Sequence, residues 1–415
     1  MRDDSFLSST DAVATQSAAT GFLGLSRNLW NLSIILAISQ FSIAIWKWQF
    51  GIYIETIIEP WQMGITFSVG TFSALVGSFV IGALTDFVGR RWTLVIGFVP
   101  IFVGLLSLSF LPIWPLIPVQ FGLIWYGLAS ARIMSRAIPA DEIEASGGKS
   151  PARKIMMVMM PVFFVDGFGP IIGSYLLSIG YVPADLHRLA SLGSIAAIIA
   201  AIVLFKESLG EEVIQKARAG AKLSARQLGS DFWKLAAGMI AFSFFWAMAI
   251  QYLGNLSVND WNVDTVTYGL TWSAFSLFGA LIMYPASILA DRNLKVALFA
   301  AVAGNGVIFI LFAIGTGVPM MYLVNLLWAP PFMVFVGAER SIVVVTVPEE
   351  AKGRALGTYQ SLMSGIAIIA AMVGAVLWEL NGSLRFVWGL AGIAMLANLV
   401  ILGLALRSIK LKREP

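Results

Sequence analysis

Residues 63–110 read MGITFSVGTFSALVGSFVIGALTDFVGRRWTLVIGFVPIFVGLLSLSF, and the only charged side chains in the stretch, Asp86, Arg90 and Arg91, fall in one short turn. The apolar runs on either side hold about 20 residues each, enough for a helix to cross the roughly 30 Å hydrocarbon core of a bilayer. Two such runs joined by a tight charged turn describe a membrane-spanning helical hairpin. The same alternation continues in both directions. Apolar runs lie near 29–55, 63–85, 91–111, 115–138, 155–180 and 187–205, then near 234–256, 266–289, 295–315, 319–345, 355–379 and 384–406.

Composition agrees: 58% of the 415 residues are hydrophobic and only 12% charged, with a mean hydropathy of +0.84, whereas soluble domains carry about 25% charged residues. The fold class expected is an all-α integral membrane protein with twelve transmembrane helices in two pseudo-symmetric six-helix bundles. The bundles span 29–205 and 234–406. They are flanked by a polar tail, 1–28, and a short tail, 407–415, and are joined by a linker, 206–233. Alternating charges in the linker, among them Glu211, Glu212, Lys216, Arg218, Lys222 and Arg226, suit a solvated or interfacial helix.

The formal charge of +4 does not mark a nucleic-acid protein, because the basic residues sit in loops between apolar runs and form no stripe. They carry topology instead. With the N-terminus inside, only Lys47, Arg188 and Arg385 of the 27 lysines and arginines fall in or near the outer half, so both termini are expected in the cytoplasm of a cell that holds the protein in its plasma membrane. No cysteine and a single histidine, His187, leave thiol chemistry, disulfides and Cys/His zinc sites without parts. No G-x-x-x-x-G-K-[ST] loop or H-E-x-x-H helix occurs, so neither ATP-driven transport nor an enzyme is expected, and no cofactor or metal. The run of methionines around Val158 (Met156, Met157, Met159, Met160) reads as apolar filling.

The turn after the second run, Gly82-Ala-Leu-Thr-Asp86-Phe-Val-Gly89-Arg90-Arg91, resembles the G-x-L-x-D-x-x-G-R-R signature of the major facilitator superfamily. A degenerate copy follows the eighth run as Asp291-Arg292-Asn-Leu-Lys295. Gly353-Arg354-Ala-Leu-Gly357, after the tenth, resembles the R-G-x-x-x-G element of the same superfamily. The resemblance implies a secondary carrier, generally monomeric, whose halves rock around a central site. It also implies that Gly82, Asp86, Gly89, Arg90 and Arg91, with Asp291, Arg292 and Arg354, form a cytoplasmic gate or latch. Gly169-Pro170-Ile-Ile-Gly173-Ser174 resembles the G-P-x-x-G-G element of proton-coupled drug antiporters, with Ser174 in place of its last glycine. As a small-x-x-x-small pair, Gly169 and Gly173 read equally as a helix-packing element. The arginine-plus-glutamine element of drug exporters is missing at Leu123 and Tyr126, and Lys206-Glu207-Ser208 starts the sugar-porter element without its prolines.

A charge at membrane depth is costly, so each one is a candidate site. Lys47, between Trp46 and Trp48 and two turns from Gln40, suits an anionic group. Asp166, one turn before the helix break expected at Gly169-Pro170, is the proton-coupling candidate, with a fixed salt bridge to Lys47 or Arg132 as the alternative reading. Glu339 and Arg340 follow Pro330-Pro331, where a bend is expected, and join the gate set. Gln120, Trp246, Gln251, Asn305 and Asn325 complete the candidate substrate-binding residues. Two readings follow: proton-coupled carriage of a small polar or anionic organic solute, and proton-coupled efflux of amphipathic compounds. A non-transporting receptor of this fold is a remote third.

Overall fold

The computed structural model describes residues 25–145, 151–207, 228–347 and 352–409. Most of both tails and of the linker, including the helix expected there, lies outside the described residues. Among those described there is no strand, and twelve helices are long and apolar enough to cross a membrane.

The helices are α1 (Arg27–Glu55), α2 (Pro60–Val88), α3 (Arg90–Phe110), α4 (Leu116–Ala145), α5 (Pro151–Ser178) and α6 (Pro183–Leu204). The second six are α7 (Gly229–Ile250), α8 (Thr265–Arg292), α9 (Leu294–Ile314), α10 (Gly317–Val345), α11 (Lys352–Asn381) and α12 (Leu384–Ser408). The sequence placed these spans within a few residues; several helices run further than their apolar cores. One expectation does not hold. α5 continues as one helix through Pro161 and Pro170, as α10 does through Pro330 and Pro331, because neighbouring helices can re-satisfy the backbone groups a proline frees. The breaks occur instead in the first helix of each half. α1 loosens at Ile45–Trp46 into a 3-10 turn, Lys47–Gln49, before resuming at Phe50–Glu55. α7 loosens at Gln251–Tyr252 and resumes as Leu253–Asn255 followed by a π turn, Leu256–Asp260.

The turn that opened the sequence reading is built around Gly89, whose φ of 87° favours a residue without a side chain. The carboxylate of Glu207 fills the space where a Cβ would project. It accepts hydrogen bonds from the backbone N–H groups of Arg90 (2.9 Å) and Arg91 (3.1 Å), an anion on the positive end of α3. Arg91 also donates to the carbonyl of Ile202, and Arg90 Nη1 to Thr85 Oγ1 at 3.2 Å. The turn is therefore tied to the end of α6 within its own half.

Across the halves, α2 packs on α11 and α5 on α8, while the outer part of α1 meets α7 and α8. Close approach inside the first half rests on Gly169 and Gly173, whose missing Cβ positions are taken by Ala44 and the Ile45 carbonyl of α1. The expected result of Gly173→Leu is a protein several degrees less heat-stable or lost from the membrane, since a backbone carbonyl cannot move aside. Overpacking of this kind costs about 1–3 kcal/mol. An unchanged melting temperature in detergent would show that α1 and α5 are not held this closely.

Candidate substrate cavity

Two connected cavities, of about 490 Å³ and 80 Å³, sit between the halves and share Lys47, Asp166, Ile250 and Trp272. The larger continues past Arg132, Ser135 and Met159 toward the end of the bundle that carries the chain termini. At the opposite, distal end the halves are shut. The Asn255 amide donates to Gly51 O (3.0 Å) and Glu55 Oε2 (2.7 Å), and the Asn259 amide donates to Glu55 Oε1 (2.7 Å). Phe67 and Tyr252 meet edge to face at 5.4 Å just beneath. One carboxylate from α1 thus clasps two amides one helical turn apart on the α7 extension. A further cavity of about 600 Å³, lined by Glu55, Glu59, Asp260 and Glu379, lies outside this clasp. It is a mouth, remote from the buried polar groups, and Asp260 in it is already bonded to Ser383 and the Leu384 N–H.

The break in α1 turns Lys47 into the central space, where it is exposed although its neighbours Trp46 and Trp48 are buried. Its ammonium stands over Trp125 of α4, 5.7 Å from the ring centroid, and the Arg132 guanidinium lies 4.7 Å from the same centroid. A shared indole lets two cations approach while each gains from the ring quadrupole. Asp166 and Arg132 both lie within electrostatic reach of Lys47. Asp166 itself is held by neutral donors: Gln40 Nε2 donates to its Oδ1 at 2.5 Å and Ser276 Oγ to its Oδ2 at 3.1 Å. Gln40 belongs to α1, Asp166 to α5 and Ser276 to α8, so this carboxylate joins the two halves.

Facing these groups, the second half contributes Trp246, Ile250, Trp272, Phe275, Trp328 and Phe332. Trp246 stacks with Phe332 at 5.8 Å, and Phe275 with Trp328 at 4.6 Å. Asn305 is not at the cavity surface; its Oδ1 accepts from Trp328 Nε1 at 2.9 Å while its own amide donates to Ala301 O at 2.8 Å, which fixes that indole.

Of the candidates read from sequence, the structure brings Lys47, Gln40, Asp166, Trp246 and Gln251 to the cavities. Trp46 turns away: its ring packs on His187 and Phe50 and its N–H is donated to Ser42 O at 2.8 Å. Gln120 donates to Leu111 O and Asn325 to Met321 O, both buried off the cavity. His187 is fully buried, and neither ring nitrogen has a hydrogen-bond partner among the described residues. Glu339 accepts from the Tyr359 hydroxyl at 3.0 Å within its own half. The surroundings of Gly82 and the side chains of Asp86, Asp291, Arg340 and Arg354 lie outside the described set, and Arg292 is exposed at the end of α8.

Sequence reading passed over Arg132 except as a partner for Asp166, and it missed Trp125, Ser276, Trp272, Phe275 and Phe332 altogether. It also missed the Glu55 clasp, although Asn255 and Asn259 stand four residues apart at the end of an apolar run, on one face of a helix.

Twelve spanning helices in two halves, broken first helices and a polar cavity at the interface define a membrane carrier architecture. The sequence profile of the Major Facilitator Superfamily matches residues 18–346, and the chain belongs to that family. Among solved structures, a mutant of the nucleoside transporter NupG is similar at 14% identity, covering 91% of this chain and 99% of the other with a TM-score of 0.73. The human organic anion transporter MFSD10 is similar at 16% identity, with 91% and 99% covered and a TM-score of 0.64. A POT family transporter in complex with 5-aminolevulinic acid is similar at 14% identity, with 94% and 98% covered and a TM-score of 0.74. These likenesses show the fold alone. No curated protein sequence matches the chain.

Proposed function

We propose that this protein is a secondary carrier that moves a small organic anion together with a proton by alternating access, with both termini in the cytoplasm, in the plasma membrane and as a monomer. The observation that carries the reading is the pair of cations, Lys47 and Arg132, over one indole beside a carboxylate that bridges the halves. An anion entering the cavity is drawn to the two cations, and Asp166 competes with it for the same positive field. A proton on Asp166 removes that competition. By linkage, whatever proton binding does for the anion, the anion does for the proton, so the two ligands favour one another's occupancy and travel in the same direction. Protonation of Asp166 also alters its bonds to Gln40 and Ser276, which is how occupancy would reach the contact between α5 and α8.

In this conformation the distal end is clasped by Glu55, and the cavity leads toward the cytoplasm. Opening the other way requires that Asn255 and Asn259 release Glu55. The expected effect of Asn255→Ala is a shift of the population toward the outward-open form, read as faster labelling, by an impermeant reagent added outside, of a cysteine introduced at Phe67, which is buried just beneath the clasp. Labelling at the wild-type rate would show that the clasp does not hold the gate.

The aromatic wall supports a second reading, efflux of amphipathic cations in exchange for protons, in which substrate and proton would compete for Asp166. Thermal stability of the purified protein separates the two, because a ligand of the native state raises the melting temperature by mass action. Stabilisation by small carboxylates, greater at lower pH, is expected. Stabilisation by lipophilic cations and not by carboxylates would replace the anion reading with efflux.

A further inference from the structure

The central cavity is chemically two-sided. Among the described residues, the charged, amide and hydroxyl side chains lining its larger part, Gln40, Lys47, Arg132, Ser135 and Asp166, all come from α1, α4 or α5, whereas the second half offers aromatic rings and one isoleucine. From this division we infer that the substrate is an amphipathic anion: a carboxylate joined to a flat apolar body, with the carboxylate toward Lys47 and Arg132 and the body against Trp246, Trp272 and Phe332. The inference rests on the anion reading of the same cavity and adds to it the nature of the rest of the molecule.

Three observations support it. Among the described residues, the wall from the first half presents Lys47 and Arg132 beside Asp166, cations that a carboxylate can approach. On the other wall, a polyol, a peptide or a zwitterion would leave its hydroxyl, amide or ammonium groups against rings that cannot replace their water, a loss that rejects polar solutes strongly. A flat apolar body loses no hydrogen bonds there and gains stacking.

The third observation is rigidity. Trp246 is stacked on Phe332 with an interplanar angle of 17°, and Phe275 on Trp328 at 28°. Trp328 is in turn tethered to Asn305. Rings already fixed by one another lose little freedom when a ligand settles on them, so the surface is prepared for a planar partner. The volume of about 490 Å³ lies within the range of pockets that enclose small organic ligands, and admits one or two fused rings with a carboxylate arm.

The test uses the full-length protein in detergent and three probes at one pH: 2-naphthoate, propionate and 2-naphthamide, with affinities from calorimetric titration. The aromatic body should tighten binding roughly 30-fold, so naphthoate is expected to bind at least that much better than propionate. Naphthamide, which keeps the rings and lacks the charge, is expected to bind at least tenfold worse than naphthoate. Trp272→Leu and Phe332→Leu should each reduce the advantage of naphthoate over propionate by at least threefold; two variants are used so that a folding defect in one does not decide the matter. Equal binding of naphthoate and propionate would overturn the amphipathic substrate and leave the anion reading standing. Equal binding of naphthoate and naphthamide would leave the aromatic wall as a binding surface and overturn the anion, and with it this proposal. Binding of none of the three would sink both.

Discussion

Lys47→Gln is expected to weaken carboxylate binding by at least 30-fold and to reduce uptake at low substrate in proportion. An anion that fills the cavity shields its pair with Lys47 from water, and removing one partner of such a pair costs about 2–5 kcal/mol, while each 1.4 kcal/mol is a factor of ten. The effect should fall on affinity and leave the protein folded, because Lys47 makes no hydrogen bond or ion pair within the described residues and projects into open space. Glutamine keeps most of the stem over Trp125 and loses only the charge. Titration of naphthoate or another carboxylate into wild type and variant measures it directly. An affinity within a factor of three of wild type would remove Lys47 from the site and leave Arg132 to hold the anion alone.

Asp166→Asn is expected to abolish accumulation driven by a pH gradient, by two orders of magnitude or more, while exchange of labelled for unlabelled substrate survives. The variant retains an oxygen for Gln40 and presents an amide to the Ser276 hydroxyl, which can rotate to accept. Contact between α5 and α8 is thereby kept and the titrating group is gone. Anion affinity in the variant should be high and independent of pH, since the asparagine, like a proton on the wild-type carboxylate, no longer competes with the anion for Lys47 and Arg132. If accumulation still follows the pH gradient, the coupling proton is carried elsewhere. If exchange is lost as well, Asp166 is part of the moving machinery and not the coupling site.

Much of the fold was legible because bilayer thickness imposes one length on every span and charge has only the loops in which to collect. The turn at Gly89 was legible too, as a motif, but its partner was not. Glu207 sits 118 residues away at the end of α6, and nothing in its neighbours' spacing says that it caps α3. Lys47, Gln40 and Asp166 could be found because polar groups inside apolar runs stand out against cost. Their counterparts could not. Trp272, Phe275 and Phe332 lie in runs where an aromatic residue is ordinary, and only the packing of α7, α8 and α10 decides which rings face the cavity and which face lipid.

The same limit explains the candidates that turned elsewhere. Trp46 and Lys47 are adjacent, and the local break at Ile45–Trp46, invisible as a proline or glycine signal, sends one into the core and the other into the cavity. Asn305 and Asn325 are buried amides that serve packing of the second half, one by holding Trp328 and the other by bonding its own helix. An isolated amide in an apolar run does not reveal which of these roles it has.

The central claim is that an organic anion and a proton cross together. The most direct measurement is the internal pH of proteoliposomes that hold a trapped pH-sensitive dye, with no gradient imposed at the start and 2-naphthoate added outside, compared with protein-free vesicles and with Asp166→Asn. Protein-dependent acidification of the interior, following substrate entry and absent in the variant, is the predicted result. Entry of the anion with no change in internal pH, or with alkalinisation, would contradict the account.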